Sequence, residues 1–297
     1  MQPSHLFLPG DALIVALVIL GTPGLPGCEN VGVPAFDTHH MATLERIRLY
    51  PVKGLDSIEM TAATVLEGGT LAHDREFALF DGDGAVLNGK RTARVHDLWT
   101  DYDPETSELT VETPEGDQSE FRLGEESDRA EQWFSEFFDV DLTLERDRSL
   151  GYVDRREMGP SVISTATIET IASWFDDMTP ESARRRLRAN LEISGVPAFW
   201  EDRFVGEGAP VLEIGDVRLE GVTPCARCVV PERDPETGEA IDSFREQFVE
   251  RREATFPEWA DDDAFDHLYT TMVITRVPAA DRGKRVEAGA PVKELHP

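Results

Sequence analysis

Leu44-Glu45-Arg46-Ile47-Arg48-Leu49-Tyr50 alternates apolar and charged side chains, then meets Pro51-Val52-Lys53-Gly54. Alternation of this kind belongs to a strand with one face in a core. Pro51 and Gly54 end it in a turn. The same signature recurs downstream. Thr64-Val65-Leu66 is followed by Phe77-Ala78-Leu79-Phe80, which the hairpin turn Asp81-Gly82-Asp83-Gly84 closes. Val95 to Tyr102 and Leu109 to Thr113 follow, divided by Asp103-Pro104-Glu105-Thr106. Short strands at this spacing predict a small barrel or sandwich.

Helices are few. Trp133, Phe134, Phe137 and Phe138 recur at helical spacing and predict a helix over Asp128 to Phe138, with Asp128 as N-cap and the aromatic stripe in the core. A second region opens near Leu150. Ser161 to Thr165 reads as a strand end and Thr167 to Phe175 as a helix. Thr179-Pro180-Glu181 reads as the N-cap and first-turn proline of a short helix. Asn190 to Gly195 is strand-like, Ser243 to Arg252 helical, Tyr269 to Val277 a late strand, and Val286 to Val292 a last turn and strand. There is no internal repeat. The fold class expected is α+β and β-rich, with two β domains divided near residues 145–150.

The chain has 297 residues, 58 of them acidic and 29 basic, for a net charge of -29. Such a surplus repels phosphate backbones and argues against nucleic-acid binding. It fits solubility in high salt, and stability that failed to rise with molar salt would count against a salt-loving source. Three cysteines make no disulfide framework and point to a reducing, cytoplasmic setting. Residues 1–41 read as a leader, a tail or a misplaced start. The apolar run Ala12 to Leu20 is too short to span a bilayer and has no preceding Lys or Arg, and Met41 opens the folded pattern.

Two of the cysteines lie in Val222-Thr223-Pro224-Cys225-Ala226-Arg227-Cys228-Val229-Val230, after the β-branched lead-in Val211 to Glu220. This pair admits several readings: half a zinc site without its second half, a thioredoxin-like redox pair without its helix, one thiolate for a soft metal with Arg227 favouring the ionised form, or a buried structural thiol. Arg184-Arg185-Arg186-Leu187-Arg188 is the densest basic run. A solvated helix face explains such a run equally well. A chain this acidic that binds an anion nevertheless needs local arginine, and Arg188 falls where helix gives way to strand. Lys53, one of only four lysines, and Arg75 would add cations from the first half of the chain.

Four elements in order resemble one family: Tyr50-Pro51-Val52-Lys53-Gly54, Asp74-Arg75-x-Phe77 with its Asp-Gly turn, Leu187-Arg188-Ala189-Asn190 leading to Ile193-Ser194-Gly195, and Pro224-Cys225-Ala226-Arg227-Cys228. The chain is thereby similar, over about residues 42–296, to MOSC-domain proteins with an N-terminal MOSC β-barrel, among them the amidoxime-reducing components. The resemblance implies a MOSC N-terminal β-barrel domain over 42–148 packed on a MOSC domain over 149–297. It further implies a molybdenum-pterin cofactor ligated by Cys228, with Lys53, Gly54, Arg75, Ser164, Thr165, Arg188 and Asn190 around it. The implied activity is reduction of N-hydroxylated small molecules, with electrons from a separate ferredoxin-, flavin- or cytochrome-type protein. The alternative is a sulfur carrier with a persulfide on Cys228, or a cofactor-handling protein. Pyridoxal phosphate binding is a family association only. Gly54 stands where animal relatives carry serine, Ala189 replaces a usual proline, and Thr270-Thr271 stands where relatives often carry an aromatic or asparagine. The substrate therefore does not transfer.

Overall fold

The computed structural model describes residues 41–296, so all but Met41 of the leader, tail or misplaced start expected over residues 1–41, Cys28 included, lies outside the described residues. Thr43–Leu49 forms the expected first strand, with Leu44, Ile47 and Leu49 at most 1% exposed. Burying each such side chain contributes about 1.5–3 kcal/mol. Glu45-Arg46 interrupts the alternation, and the register against the partner strand shifts between Leu44 and Arg46. A bulge there keeps Ile47 and Leu49 facing inward.

This strand belongs to an eight-stranded sheet. Its order is Val292–Leu295, Val211–Ile214, Val217–Ala226, Thr270–Arg276, Ser161–Ser164, Leu191–Ser194, Thr43–Leu49, Ile58–Met60. Ser161–Ser164 and Leu191–Ser194 run parallel, and the other pairs antiparallel. The pairing crosses the boundary expected at 148–149. Thr43–Leu49 pairs with Leu191–Ser194, and Ala62–Thr64 pairs with Arg285–Glu287. A three-stranded meander (Trp99–Asp103, Glu108–Glu112, Gln118–Arg122) and the pair Phe77–Asp81 with Leu142–Arg146 complete a β-rich α+β fold.

Four α-helices occur among the described residues: Ser127–Phe138, Thr165–Ala172, Pro180–Leu187 and Phe244–Ala254. The first starts earlier than expected. Its cap position is Glu126, and Asp128 sits in the first turn, where its charge still meets the positive end of the helix dipole. Thr179 caps the third helix through Ser182 N–H, with Pro180 following as expected. The strand expected from Val95 begins only at Trp99. Thr92 accepts from Arg94 N–H and winds Ala93–Asp97 into a 3₁₀ turn first. Among the described residues no helix is long and apolar enough to cross a membrane.

Candidate functional site

The turn after the first strand is built to approach another loop closely. Lys53 N–H donates to Phe77 O at 2.8 Å. Gly54 has φ +100°, and a Cβ there would lie 3.1 Å from Asn88 Cα and 3.2 Å from Leu87 O. Both facts call for glycine in this chain, whatever relatives carry.

Around that turn lies a cavity of about 600 Å³. Its wall carries six lysine or arginine side chains (Lys53, Arg75, Lys90, Arg155, Arg188, Arg227) against two aspartates (Asp74, Asp154). In a chain of net charge -29, this is a local inversion of sign. Cys225 and Cys228 lie on the same wall, and both are free thiols.

Two of the arginines are held in left-handed backbone, at φ 52° for Arg75 and 59° for Arg188. Non-glycine residues adopt this region at a cost, and such strain concentrates at functional sites. Arg188 is the C-cap of the helix Pro180–Leu187, donating N–H to Arg184 O, a position glycine usually takes. Both guanidiniums lie over the Tyr50 ring, at 4.7 Å for Arg75 and 4.1 Å for Arg188. Arg75 pairs with Asp74, which also accepts from Tyr50 N–H at 3.0 Å. Burial opposes the Arg75 charge, but Asp74 outweighs it and raises the pKa. Burial, aided by the neighbouring Arg75 charge, lowers that of Arg188, whose one side-chain bond among the described residues is to Leu55 O at 2.7 Å. A guanidinium does not deprotonate, so Arg188 is a cation short of countercharge. An anion in the cavity would relieve it.

The cysteines follow an irregular strand end. The register between Val217–Ala226 and Thr270–Arg276 shifts between Pro224 and Ala226, and Met272 opposite has φ 64°. Bulges at strand ends re-aim side chains. Arg227 donates to Cys225 Sγ at 3.2 Å, to Met272 Sδ at 3.6 Å and to Leu187 O at 2.8 Å. Of the two thiols Arg227 thus attends that of Cys225, while Cys228 is fixed through its carbonyl, which accepts from Tyr269 OH at 3.2 Å.

Of the residues expected from sequence, Lys53, Gly54, Arg75, Arg188, Asn190 and Cys228 line the cavity together. Asn190 does so with its side chain committed inward. Its Oδ1 accepts from Ser161 N–H and Oγ–H, and its Nδ2 donates to Arg48 O. Ser164 and Thr165 do not line the cavity. Ser164 is fully buried as the N-cap of the helix Thr165–Ala172, accepting from Thr167 N–H, and Thr165 donates to Glu192 at 2.9 Å. Ser161, at the other end of that strand, lines the cavity instead. Thr270 and Thr271 are buried and away from the wall. Of the arginines in the basic run only Arg188 reaches the cavity. Arg184 pairs with Glu192, Arg185 with Asp56 and Glu236, and Arg186 with Asp234.

Sequence reasoning missed Lys90, Asp154 and His96. Asp154 accepts from Lys53 at 2.5 Å and Lys90 at 3.2 Å. The atoms of the cavity wall crowd this largely exposed carboxylate and work against its charge, but the two lysines hold its pKa down to about 2. Lysine scarcity was the available signal, because two of only four lysines meet here. Burial, with Arg188 and Arg233 nearby, lowers the His96 pKa, and its buried Nε2 has no partner among the described residues.

Residues 41–143 match the MOSC N-terminal beta barrel domain, and residues 158–293 match the MOSC domain. The chain belongs to the MOSC-domain proteins. Mitochondrial amidoxime reducing component 2 of Bos taurus is 24% identical over 289 residues, covering 77% of this chain and 84% of that protein. Molybdenum cofactor sulfurase of Oryza sativa subsp. japonica is 23% identical over 249 residues, covering 67% of this chain but only 29% of that protein. Among solved structures, the YUAD protein of Bacillus subtilis aligns over 85% of this chain and 94% of that one at 14% identity, with a TM-score of 0.33. This MOSC protein therefore has relatives named for both a reductase component and a sulfurase.

Proposed function

We propose that this MOSC protein holds a molybdenum-pterin cofactor in the cavity and reduces N-hydroxylated small molecules with electrons from a separate donor protein. The observation that carries the reading is the convergence of six cationic side chains and the Cys228 thiol on one cavity in a strongly acidic chain. A pterin dithiolene with a phosphate tail is an anion that also needs a soft ligand to its metal, and this donor set fits it. Cys228 would ligate the metal. Arg188, short of countercharge, and Arg75 would hold anionic groups near Tyr50, Lys53 would hold the phosphate end, and Gly54 would admit the ligand close to the backbone. Asn190 would act indirectly, fixing Ser161 and the first strand as a rigid wall. The bound group would supply the two-electron chemistry that removes oxygen from nitrogen.

Similarity to a cofactor sulfurase, with two free thiols on one wall, favours a second reading, in which Cys228 carries a persulfide. Protein made in a molybdenum-competent host separates the two. The reductase reading expects stoichiometric molybdenum and pterin, turnover of a benzamidoxime with a chemical reductant, and loss of metal in Cys228→Ala. Full molybdenum in Cys228→Ala overturns the ligand assignment. A persulfide on Cys228 without metal favours the sulfur carrier.

A further inference from the structure

Lys53 and Lys90 come from separate segments and converge on one carboxylate. Each ammonium takes one oxygen of Asp154, Lys53 at Oδ1 and Lys90 at Oδ2. A phosphate presents two oxygens on one atom in the same way. The three side chains are unequally exposed: 16% for Lys53, 49% for Lys90 and 61% for Asp154. A lysine as sheltered as Lys53 needs a countercharge, whereas a carboxylate as open as Asp154 can return to water at little cost.

Asp154 rides on residues 147–160, which form no helix or strand between Leu142–Arg146 and Ser161–Ser164. That segment also supplies Val153, Arg155 and Met158 to the cavity wall. Among the described residues the side-chain bonds of Asp154 go to the two lysines alone. Asp74, the other carboxylate on the wall, is buried and tied to both Arg75 and Tyr50 N–H. Of the two, Asp154 is the one whose contacts a ligand anion could replace one for one.

We propose that Lys53 and Lys90 form a two-ammonium seat for a phosphate group of the ligand, and that Asp154 occupies this seat until the ligand displaces it. The inference rests on the reading above only in taking the ligand to carry a phosphate. The seat exchanges one anion for another, so Lys53 never loses its countercharge. Apparent affinity is lowered by the fraction of time the seat is plugged.

The test measures inorganic phosphate binding by titration calorimetry at low salt, on full-length protein made in a host that lacks the pterin. Asp154→Asn, which keeps the shape and removes the charge, should bind phosphate about tenfold or more tighter than wild type. Lys90→Gln should bind it about tenfold weaker, since one of two ammoniums is gone. Thermal melts confirm that both variants fold, and Lys90 is exposed enough to be replaced safely. Wild-type affinity in Asp154→Asn, or in Lys90→Gln, overturns the proposal. Repeating the titration on cofactor-loaded protein identifies the phosphate. If the seat takes the cofactor's phosphate, inorganic phosphate no longer binds; if it serves a phosphorylated substrate, binding persists. Molybdenum content is read separately. Protein from a pterin-competent host that carries no molybdenum, with the Asp154→Asn gain present in the pterin-free protein, sinks the reductase reading alone; protein that loads molybdenum in that host, with no Asp154→Asn gain when made pterin-free, sinks this inference alone.

Discussion

Two regions gather charge, and they do so oppositely. Around Glu201, Asp202 and Arg252 the charge is sealed. Arg252 is fully buried, pairs with Asp202, and has its guanidinium 4.1 Å from the Phe199 ring and 5.1 Å from that of Phe256. Glu201 accepts from Ser164 N–H and Thr167 Oγ–H. Around the cavity the charge is open: cations outnumber carboxylates, and Arg188 has no acidic partner among the described residues. Removing one partner of a buried pair is costly, so the sealed charge bears on stability, whereas the cations around the cavity face open space.

The largest effect should come from the sealed cluster. Arg252→Ala strands Asp202 in a low-dielectric interior and should cost about 3–5 kcal/mol. Urea denaturation measures it. Arg188→Ala should cost far less, about 1 kcal/mol for one hydrogen bond and a cation–π contact, yet strip molybdenum and pterin from protein made in a competent host. A reversed order of stability losses would break the comparison.

The second effect is a pH dependence. Burial, with Asp202 beside it, pushes Glu201 up to about 8. The folded state thus holds this proton more tightly than the unfolded chain, where a glutamate titrates near about 4.3. The resulting stability is full below that value and is lost as pH rises through about 8. Glu201→Gln removes the dependence, so its unfolding free energy, measured in urea, should gain on wild type between pH 6 and pH 9, by about 2–3 kcal/mol from linkage. Parallel pH profiles would show that Glu201 is not held neutral. Glu76 runs the other way. Despite burial, His73 and Arg146 hold its pKa down to about 2. Its contribution is present above the ordinary glutamate range and is lost as pH falls through about 2, so Glu76→Gln should destabilise at pH 7 by about 1–3 kcal/mol and converge with wild type in acid.

What the chain declared in advance follows from the range of the forces involved. Strands with alternating faces, the Thr179-Pro180 helix start and the glycine at 54 are local, and each was legible. Lys53, Arg75, Arg188 and Cys228 were legible because they lie in motifs. Asp154 was not, because one aspartate among 58 acidic residues carries no mark of the two lysines that find it. Ser164 was placed at the cofactor by the resemblance alone. The strand's other end, Ser161, faces the cavity, and the sense of a parallel pairing with Leu191–Ser194 is a tertiary fact. The strand pairing between the two halves was not legible either, since nothing local tells Thr43–Leu49 to pair with a strand 140-odd residues away (Ile47 opposite Leu191).

The smallest effect is the sharpest on the basic run. Arg185 and Arg188 lie less than one helical turn apart in sequence, but only Arg188 adopts the left-handed backbone that turns it toward Tyr50. Arg185 meets Asp56 and Glu236, each at 3.4 Å, and Pro235 O at 2.9 Å, with its side chain 23% exposed. Partly exposed pairs at that range are worth about 0.5–1 kcal/mol. Arg185→Ala should therefore lower stability by about that amount and leave molybdenum and pterin content at the wild-type level. If content falls as far as in Arg188→Ala, the run acts through its summed charge, and the backbone turn at Arg188 is not what selects the cavity arginine.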